Sequence, residues 1–242
     1  MIEVEGLVKR FAGSSVVTAV DGVSFRANRG EVFGLLGPNG AGKTSTLRVL
    51  ATLLPPDGGT VRVAGHDVVR EPARVRAQLG YLSNSTGVYG RLTVAEFLVY
   101  FARLQGVSGP AARAARMIDE LALAEYANVR CDRLSTGNRQ KVSIARALVH
   151  DPPVLILDEP TLGLDVIVAQ TFLALVERAK AEGRCVLYST HVMSEAERLC
   201  DRIGILHHGR LFACDTLEAL RERTGEHYLE RIFLKIIGEN QG

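Results

Sequence analysis

The sequence lacks a long apolar run and a surplus of either charge. No apolar stretch approaches the roughly 20 residues that a membrane-spanning helix needs, and the start MIEVEGLVKRF carries no signal peptide. We therefore expect a chain that does not cross a membrane by itself. The 29 Lys and Arg residues nearly balance 27 Asp and Glu residues, which leaves a net charge of +2. This balance argues against nucleic-acid binding through bulk charge, although it does not exclude a local basic face.

The cysteines lack the spacing of a metal site. No CxxC pair is present, so we interpret the four thiols as reduced and packed as small apolar side chains. They are Cys131, Cys185, Cys200 and Cys214. With 242 residues, of which 47% are hydrophobic, the chain fits one large domain or one domain with an inserted lobe.

Four short apolar runs are typical of strands that are buried on both faces. Segments of helical period lie between them, such as the one that carries Phe172 and Val176. This alternation indicates a parallel α/β sheet. The runs are EVFGLL (31–36), PVLIL (153–157), CVLY (185–188) and IGIL (203–206). Two further segments, IEVEGLVKRF (2–11) and VRVAGHDV (61–68), alternate like antiparallel edge strands.

The stretch from about 90 to 150 has a helical pattern instead. TVAE (93–96) is a capping box, and Val94 and Phe97 belong to the apolar face that follows it. A second apolar face includes Met117. We expect a helical lobe that is inserted into the α/β core.

The string GPNGAGKT matches GxxxxGK[ST], follows a buried strand and opens a helix. Its glycines let backbone N–H groups turn toward phosphate oxygens, and the helix N-terminus adds partial positive charge. Lys43 would reach the β and γ phosphates, and Thr44 would offer its hydroxyl to Mg²⁺. The alternative is a Gly-rich turn that only links strand to helix, which the Lys-Thr pair disfavours. The predicted ATP-binding residues here are Gly37, Pro38, Asn39, Gly40, Ala41, Gly42, Lys43, Thr44 and Ser45.

Two other predicted strands end in polar residues at the same edge of the sheet. In VLILDEP, Asp158 would lie near Mg²⁺, and Glu159 would orient or deprotonate the attacking water. The alternative, that Asp-Glu-Pro merely ends the strand, is weakened by the nearby phosphate loop. CVLYSTH delivers His191 to this edge, which favours a γ-phosphate contact over an ordinary surface role.

Three further features have a local interpretation that leaves their role open. LSTGNRQKVSIARAL places Ser135 and Gly137 where a loop enters a helix, which suits a second phosphate site. Phe11 could stack on adenine or belong to the core. The tight turn LGLD (162–165) says little by itself.

Together these motifs resemble the ATP-binding cassette (ABC) family, over almost the whole chain. LSTGNRQ looks like the family's LSGGQ signature, and the acidic motif, the GLD turn and His191 follow in the family's order. The resemblance implies an α/β fold with a RecA-like P-loop NTPase core, an antiparallel β edge subdomain and an inserted helical subdomain. It also implies a head-to-tail dimer with two ATP molecules at the interface. The signature residues that would contact the partner's ATP are Leu134, Ser135, Thr136, Gly137 and Asn138, and the dimer-turn residues are Gly163, Leu164 and Asp165.

The resemblance predicts a single nucleotide-binding domain over residues 1–242, with its core at about 1–84 and 150–225. The helical subdomain would span about 85–150, and a short C-terminal tail 226–242. Motif wording such as GVYGRLTVAEFLVYF is similar to exporter cassettes of the sodium-efflux type, and the related drug and lipid exporter cassettes look much the same. The resemblance implies a second cassette, as a homodimer or a heterodimer, at the cytoplasmic face of the cell membrane, partnered by integral permease subunits.

Two positions depart from the family pattern. Asn84 stands where most cassettes have glutamine, and its side chain is one methylene shorter. We hypothesise that its predicted catalytic contact with Mg²⁺ and water becomes water-mediated, with a coupling role retained. In the signature, Thr136 replaces glycine and Asn138 replaces glutamine, while Ser135 and Gly137 are kept.

The expected function is that of the ATPase subunit of a membrane exporter. The alternative is a soluble ABC ATPase that acts on ribosomes or DNA. Such proteins usually carry two cassettes, zinc fingers or coiled-coil insertions, and none of these features is visible here. A P-loop kinase or GTPase would leave LSTGN unexplained. We expect no nucleic-acid partner.

Overall fold

A computed structural model of the chain describes residues 1–13, 16–83 and 87–239. Within these ranges the strands are β1 (Ile2–Phe11), β2 (Val17–Ala27), β3 (Val32–Leu36), β4 (Gly58–Val63), β5 (His66–Asp67), β6 (Leu79–Ser83), β7 (Val154–Asp158), β8 (Cys185–Thr190), β9 (Arg202–His207) and β10 (Arg210–Thr216). The helices are α1 (Lys43–Leu50), α2 (Pro72–Ala77), α3 (Val94–Leu104), α4 (Pro110–Glu120), α5 (Thr136–Leu148), α6 (Val166–Ala181), α7 (Met193–Leu199), α8 (Leu217–Thr224) and α9 (Leu229–Glu239). None of the helices in these ranges combines the length and the apolar character that a membrane crossing requires.

The strands form two sheets that combine with the helices in the predicted α/β fold. The larger sheet has the order β10-β9-β3-β8-β7-β6, with β10 antiparallel to β9 and the other neighbours parallel. The four predicted apolar runs are confirmed as β3, β7, β8 and β9. Every residue of β3, β7 and β8 is buried, which explains why each is a continuous apolar run.

The smaller sheet is antiparallel, in the order β2-β1-β4-β5. This confirms the antiparallel prediction for β1 and β4, although the strands form a sheet of their own. The sequence analysis did not identify β2, β6 or β10. In β2 the pairing with β1 shifts register three times, which disturbs the alternation that predicts a strand.

The helical lobe is built from α3, α4 and α5. Its capping box is confirmed, because Thr93 Oγ1 accepts from Glu96 N at 3.2 Å and Glu96 Oε2 accepts from Thr93 N at 2.9 Å. The apolar faces of these helices join one core with α6 and one face of the larger sheet. Residues in this core include Phe97, Met117 and Val142.

Two more apolar clusters complete the packing. One fills the space between the two sheets around α1, where Phe25 and Phe33 stack at 4.9 Å. The other joins β9 and β10 to the C-terminal helices, where α9 buries Ile232 and Ile236. The segment predicted as a short C-terminal tail therefore contains a packed helix.

The strand order determines where the polar motifs meet. β3 lies beside β8, and β8 lies beside β7, all three parallel. The loops that leave their carboxyl ends therefore emerge at one edge of the sheet, where ligands of open α/β sheets collect. The phosphate-loop motif, the Asp-Glu pair and His191 lie at these strand ends.

Candidate functional site

The phosphate loop connects β3 to α1 along a path that only glycine allows at two positions. A Cβ on Gly37 would lie 2.2 Å from the Leu206 carbonyl oxygen, and one on Gly42 would lie 2.3 Å from that of Ala19. Gly42 also has a φ of 104°. The backbone is thus held close to β9 and β2, with its N–H groups available around the start of α1.

Lys43 folds back over this loop. Its ammonium donates to the carbonyl oxygens of Gly37 at 2.7 Å and Pro38 at 3.1 Å, and it pairs with Glu159 Oε1 at 3.1 Å. Only 4% of Lys43 is exposed. A buried charge needs such partners, and they place the ammonium over the loop where phosphate oxygens would bind. Of the other predicted loop residues, Pro38, Asn39 and Gly40 are exposed, Ala41 is buried and Ser45 is half-buried.

The end of β7 brings Asp158 to the first turn of α1. Thr44 Oγ1 donates to Asp158 Oδ1 at 3.2 Å, and Ser189 Oγ donates to the same oxygen at 2.8 Å. Asp158 is 5% exposed. A hydroxyl and a carboxylate oxygen are the hard ligands that Mg²⁺ prefers. Among the described residues no group of three His, Cys, Asp or Glu side chains could hold a metal. The Thr44 hydroxyl and the Asp158 carboxylate fit an ion that is bound by few protein ligands together with substrate phosphates.

Glu159 lies at the centre of the site in a left-handed conformation, with φ of 47°. Its N–H donates to both the carbonyl oxygen and Oγ of Ser189, each at 3.1 Å. Its carboxylate reaches Lys43 through Oε1 and His191 Nδ1 through Oε2, the latter at 3.3 Å. The structure thus brings together Lys43, Glu159 and His191, which lie far apart in the sequence. The His191 side chain is 38% exposed, so it remains accessible to a ligand.

The sequence analysis gave Ser189 no role. The observation that reveals its role is the parallel register of β7 and β8, in which Asp158 pairs with Ser189 on the adjacent strand. That register is a property of the assembled sheet, which a local motif does not contain. Gln140 was also missed. Its Nε2 donates to the Pro160 carbonyl oxygen at 2.9 Å and so links α5 to the segment after Glu159.

The predicted signature residues lie at the start of α5. Ser135 is the N-cap, and its Oγ accepts from Asn138 N at 3.2 Å. Leu134 is buried, Ser135 and Thr136 are exposed, and the next two residues are half-buried. In the described part of the chain, no hydrogen bond joins these residues to the phosphate loop. A Cβ on Gly137 would meet Val168 of α6 at 3.1 Å, so the loop is packed closely against its own chain there.

The GLD turn, Phe11 and Asn84 are the remaining predicted features of the site. In the GLD turn, Gly163 has φ of 77°, Leu164 N donates to the Thr161 carbonyl at 3.1 Å, and Asp165 caps α6 by accepting from Val168 N at 2.9 Å. Phe11 ends β1, is 39% exposed and has Lys9 Nζ 5.6 Å from its ring centroid. Asn84 lies outside the described residues, so its predicted role stays a prediction.

The geometry is that of a P-loop ATPase. A family model described as ABC transporter matches residues 20–162, more than half of the chain. The ABC transporter ATP-binding protein NatA of Bacillus subtilis is 40% identical over 238 residues, which cover 97% of this chain and 97% of that protein. The daunorubicin/doxorubicin resistance ATP-binding protein DrrA of Streptomyces peucetius is 42% identical over 230 residues, covering 94% of this chain and 69% of that protein.

A solved ATP-binding cassette, dimeric in a post-hydrolysis state with ADP and Pi bound, superposes with a TM-score of 0.82. It is 25% identical and covers 90% of this chain and 99% of its own. The chain belongs to the ABC transporter family, in which it is an ATP-binding and ATP-hydrolysing subunit. The alternative of a soluble ABC ATPase that acts on ribosomes or DNA finds no support among these relatives.

Proposed function

We propose that the chain hydrolyses Mg-ATP at a site completed by a second cassette, and that this cycle drives export through separate membrane subunits. The observation that carries the proposal is the Glu159 carboxylate, which bridges Lys43 and His191 beside the Thr44–Asp158 pair. The name of the resistance protein DrrA supports export as the direction. We place the subunit at the cytoplasmic face of the cell membrane, where ATP is available.

ATP would bind along the phosphate loop and α1. The loop N–H groups and the helix N-terminus would hold phosphate oxygens, and Lys43 would exchange its loop carbonyls for the β and γ phosphates. Phe11 presents an exposed ring on which adenine can stack. Ser45, on the first turn of α1, would add a hydroxyl near the phosphates.

Thr44 and Asp158 would hold Mg²⁺, because their oxygens already lie 3.2 Å apart at the first turn of α1. When bound, the ion neutralises phosphate charge and orients the nucleotide. We also keep Asn84 as a proposed contact of this ion and of the attacking water.

Hydrolysis would proceed by attack of water on the γ phosphorus. Glu159 accepts the water proton as the new P–O bond forms, while the bond to the β–γ bridging oxygen breaks and ADP leaves. His191 holds the Glu159 carboxylate through Nδ1, and its accessible ring would contact the γ phosphate. The hydrogen bonds that Glu159 N donates to the carbonyl oxygen and Oγ of Ser189 fix Glu159 in this position.

The second half of each site would come from the partner's signature. Ser135 and Thr136 are exposed and separate from their own phosphate loop, which suits contact with a nucleotide held by another chain. The dimeric cassette among the solved relatives supports this arrangement. We propose a head-to-tail homodimer with Gly163, Leu164 and Asp165 at the interface. We also propose that the core spans about 1–84 and 150–225, the helical subdomain about 85–150 and the C-terminal segment 226–242.

The membrane subunits would dock in a groove between the core and the helical lobe. A cavity of about 360 Å³ lies there, lined by apolar side chains that include Leu53 and Phe101. Among the described residues that line it, Arg76 and Arg146 are basic and none is acidic. His150 Nδ1 is buried there without a hydrogen-bond partner in the described part of the chain. An apolar segment with an acidic residue would complement this groove, and we assign that chemistry to the permease segment.

The proposal is tested by Glu159→Gln, which keeps the size of the side chain but removes the base. We expect ATP binding to persist while hydrolysis falls by about a hundredfold or more. The variant should also accumulate as a dimer, since ATP is no longer cleaved. Phosphate release and light scattering with saturating Mg-ATP measure both effects.

Glu222→Gln, at an exposed position on α8, is the matched control and should behave like the parent protein. A monomer under saturating Mg-ATP would contradict the shared-site proposal. Unchanged hydrolysis would contradict the role of Glu159.

A further inference from the structure

The carboxylate of Glu195 receives two hydroxyl donors on one oxygen. Glu195 belongs to α7, four residues after His191. Its Oε2 accepts from Tyr188 OH at 2.8 Å and from Thr190 Oγ1 at 3.1 Å. Both donors belong to β8, the strand that delivers His191 to the site. The carboxylate therefore connects the helix after His191 to the strand before it.

Thr190 extends this connection around His191. Its hydroxyl has a single proton, which it donates to Glu195, so its lone pairs are free to accept a hydrogen bond. Val192 N donates to that oxygen at 2.9 Å. The backbone on both sides of His191 is thereby closed into a small turn, and Glu195 sets the hydroxyl orientation that permits it.

Tyr188 is fully buried and remains a hydrogen-bond donor. Its pKa is raised, first because burial disfavours the phenolate and next because the Glu195 carboxylate lies beside it. A hydrogen bond with Thr161 acts in the opposite direction. Since Thr161 follows Glu159 and Pro160, the same phenol also touches the segment that leaves the catalytic motif.

Glu195 and Thr190 line one cavity. It has a volume of about 180 Å³, and its lining includes Glu159, Thr161, His191 and Glu195. Glu195 therefore faces the same space as the proposed base and its histidine partner. The hydrogen bonds above provide it with a route to His191 that does not require contact with ATP.

We propose that Glu195 is a positioning residue that holds His191 in place against Glu159, through Thr190 and the turn that ends at Val192. This inference rests on the role of His191 in the proposed function. It predicts a loss of rate without a loss of nucleotide affinity, because the phosphate loop does not contact Glu195. A purely structural role for Glu195 would lower stability but would not depend on His191.

The test is a double-mutant cycle on the full chain, with kcat for ATP hydrolysis and Kd for ATP measured for each variant. Glu195→Ala should lower kcat by about ten- to a hundredfold, which is the range expected when a catalytic group is misplaced by up to about 1 Å. Its Kd should change by less than about twofold. In a His191→Ala background the same substitution should have almost no further effect on kcat. Glu195→Gln keeps an accepting oxygen and should recover most of the rate.

Glu197→Ala is the matched control on the same helix. Glu197 Oε1 accepts from Leu229 N at 2.8 Å and so binds α9 instead of β8. Its loss should lower the melting temperature but leave kcat within about twofold of the parent protein.

The inference is overturned if Glu195→Ala lowers kcat as much in the His191→Ala background as in the parent protein, or if Glu197→Ala reproduces the loss. A loss with Glu195→Gln as large as that with Glu195→Ala would also overturn it. An unchanged kcat in His191→Ala alone would contradict the proposed role of His191 as well, so the two failures are distinguishable.

Discussion

Ser189 is the residue that holds the two carboxylates of the site in their relative positions. Its Oγ donates to Asp158 Oδ1 at 2.8 Å and accepts from Glu159 N at 3.1 Å. Glu159 needs this support, because a left-handed backbone costs about 1–2 kcal/mol for a residue other than glycine. The conformation that aims its carboxylate at Lys43 and His191 is therefore maintained by the neighbouring strand.

Ser189→Ala removes both side-chain hydrogen bonds but keeps the carbonyl that also accepts from Glu159 N. We expect kcat to fall by about ten- to a hundredfold, because the base is no longer fixed. The Kd for ATP should change little, since the phosphate loop is intact. Steady-state hydrolysis and equilibrium ATP binding measure the two quantities.

Ser194→Ala, on the exposed side of α7, is the control for the loss of a serine hydroxyl in the same region. Equal rates in the parent protein and in Ser189→Ala would refute the positioning role of Ser189. A loss of ATP affinity without a loss of kcat would place Ser189 in nucleotide binding instead.

At the scale of elements, α5 connects the signature to the catalytic segment. Ser135 caps the helix, and Gln140 Nε2 donates to the Pro160 carbonyl oxygen at 2.9 Å, directly after Glu159. A displacement of α5 by a partner's nucleotide would therefore reach the backbone beside the base. This hydrogen bond connects the helical lobe directly to the segment that follows the proposed base.

Ser135→Arg should block ATP-driven dimerisation, because a long charged side chain would replace the small exposed cap that we propose faces the partner's ATP. ATP binding by the single chain should be largely unchanged. Light scattering with Mg-ATP in the Glu159→Gln background measures dimer formation, and equilibrium binding measures affinity.

Thr216→Arg is a matched control, because Thr216 Oγ1 caps α8 in the same way by accepting from Ala219 N at 3.2 Å. It loses a helix cap without touching the signature and should still dimerise. A stable dimer of Ser135→Arg would show that the signature does not face the partner's ATP.

The elements differ in how far the sequence predicts them. β3, β7 and β8 are buried on both faces, so their apolar runs and the polar residues after them are visible locally. The strand β2 cannot be recognised locally, because its exposed residues and register shifts break the alternation of apolar and polar residues. The GxxxxGK[ST] loop is predictable for the same local reason, since its spacing alone determines the turn.

The residues of the candidate site also differ in how far the sequence predicts them. Lys43 and Glu159 are recognisable from their own motifs, whereas the link from Ser189 to Glu159 depends on the register between β7 and β8. The hydrogen bonds of Glu195 likewise depend on how α7 packs against β8. Interactions of this kind depend on tertiary packing, so a single sequence does not reveal them.

At the scale of the whole molecule, the basic residues in the groove between the core and the helical lobe predict an acidic residue in the permease segment that we propose docks there. Arg76 is exposed at its border and donates to Thr52 Oγ1 at 3.0 Å. Arg76→Glu should weaken copurification with the membrane subunits by about tenfold, because it would repel an acidic segment. The hydrolysis rate of the isolated subunit should not change.

Arg231→Glu, at an exposed position on α9, carries the same charge reversal away from the groove and is the control. It should copurify like the parent protein. Undiminished copurification of Arg76→Glu, or an equal loss with Arg231→Glu, would contradict docking at this groove.

The position of β3 in the larger sheet has a consequence for how the protein is made. Its two neighbours, β8 and β9, begin at Cys185 and Arg202, so the phosphate loop is synthesised long before the strands that flank it. Such long-range parallel pairing forms late in folding. A nascent chain that has only its phosphate loop lacks Glu159 and His191, and it gains its full set of proposed ATP contacts only when the sheet closes around β3. Nucleotide binding would therefore favour completed chains over unfinished ones.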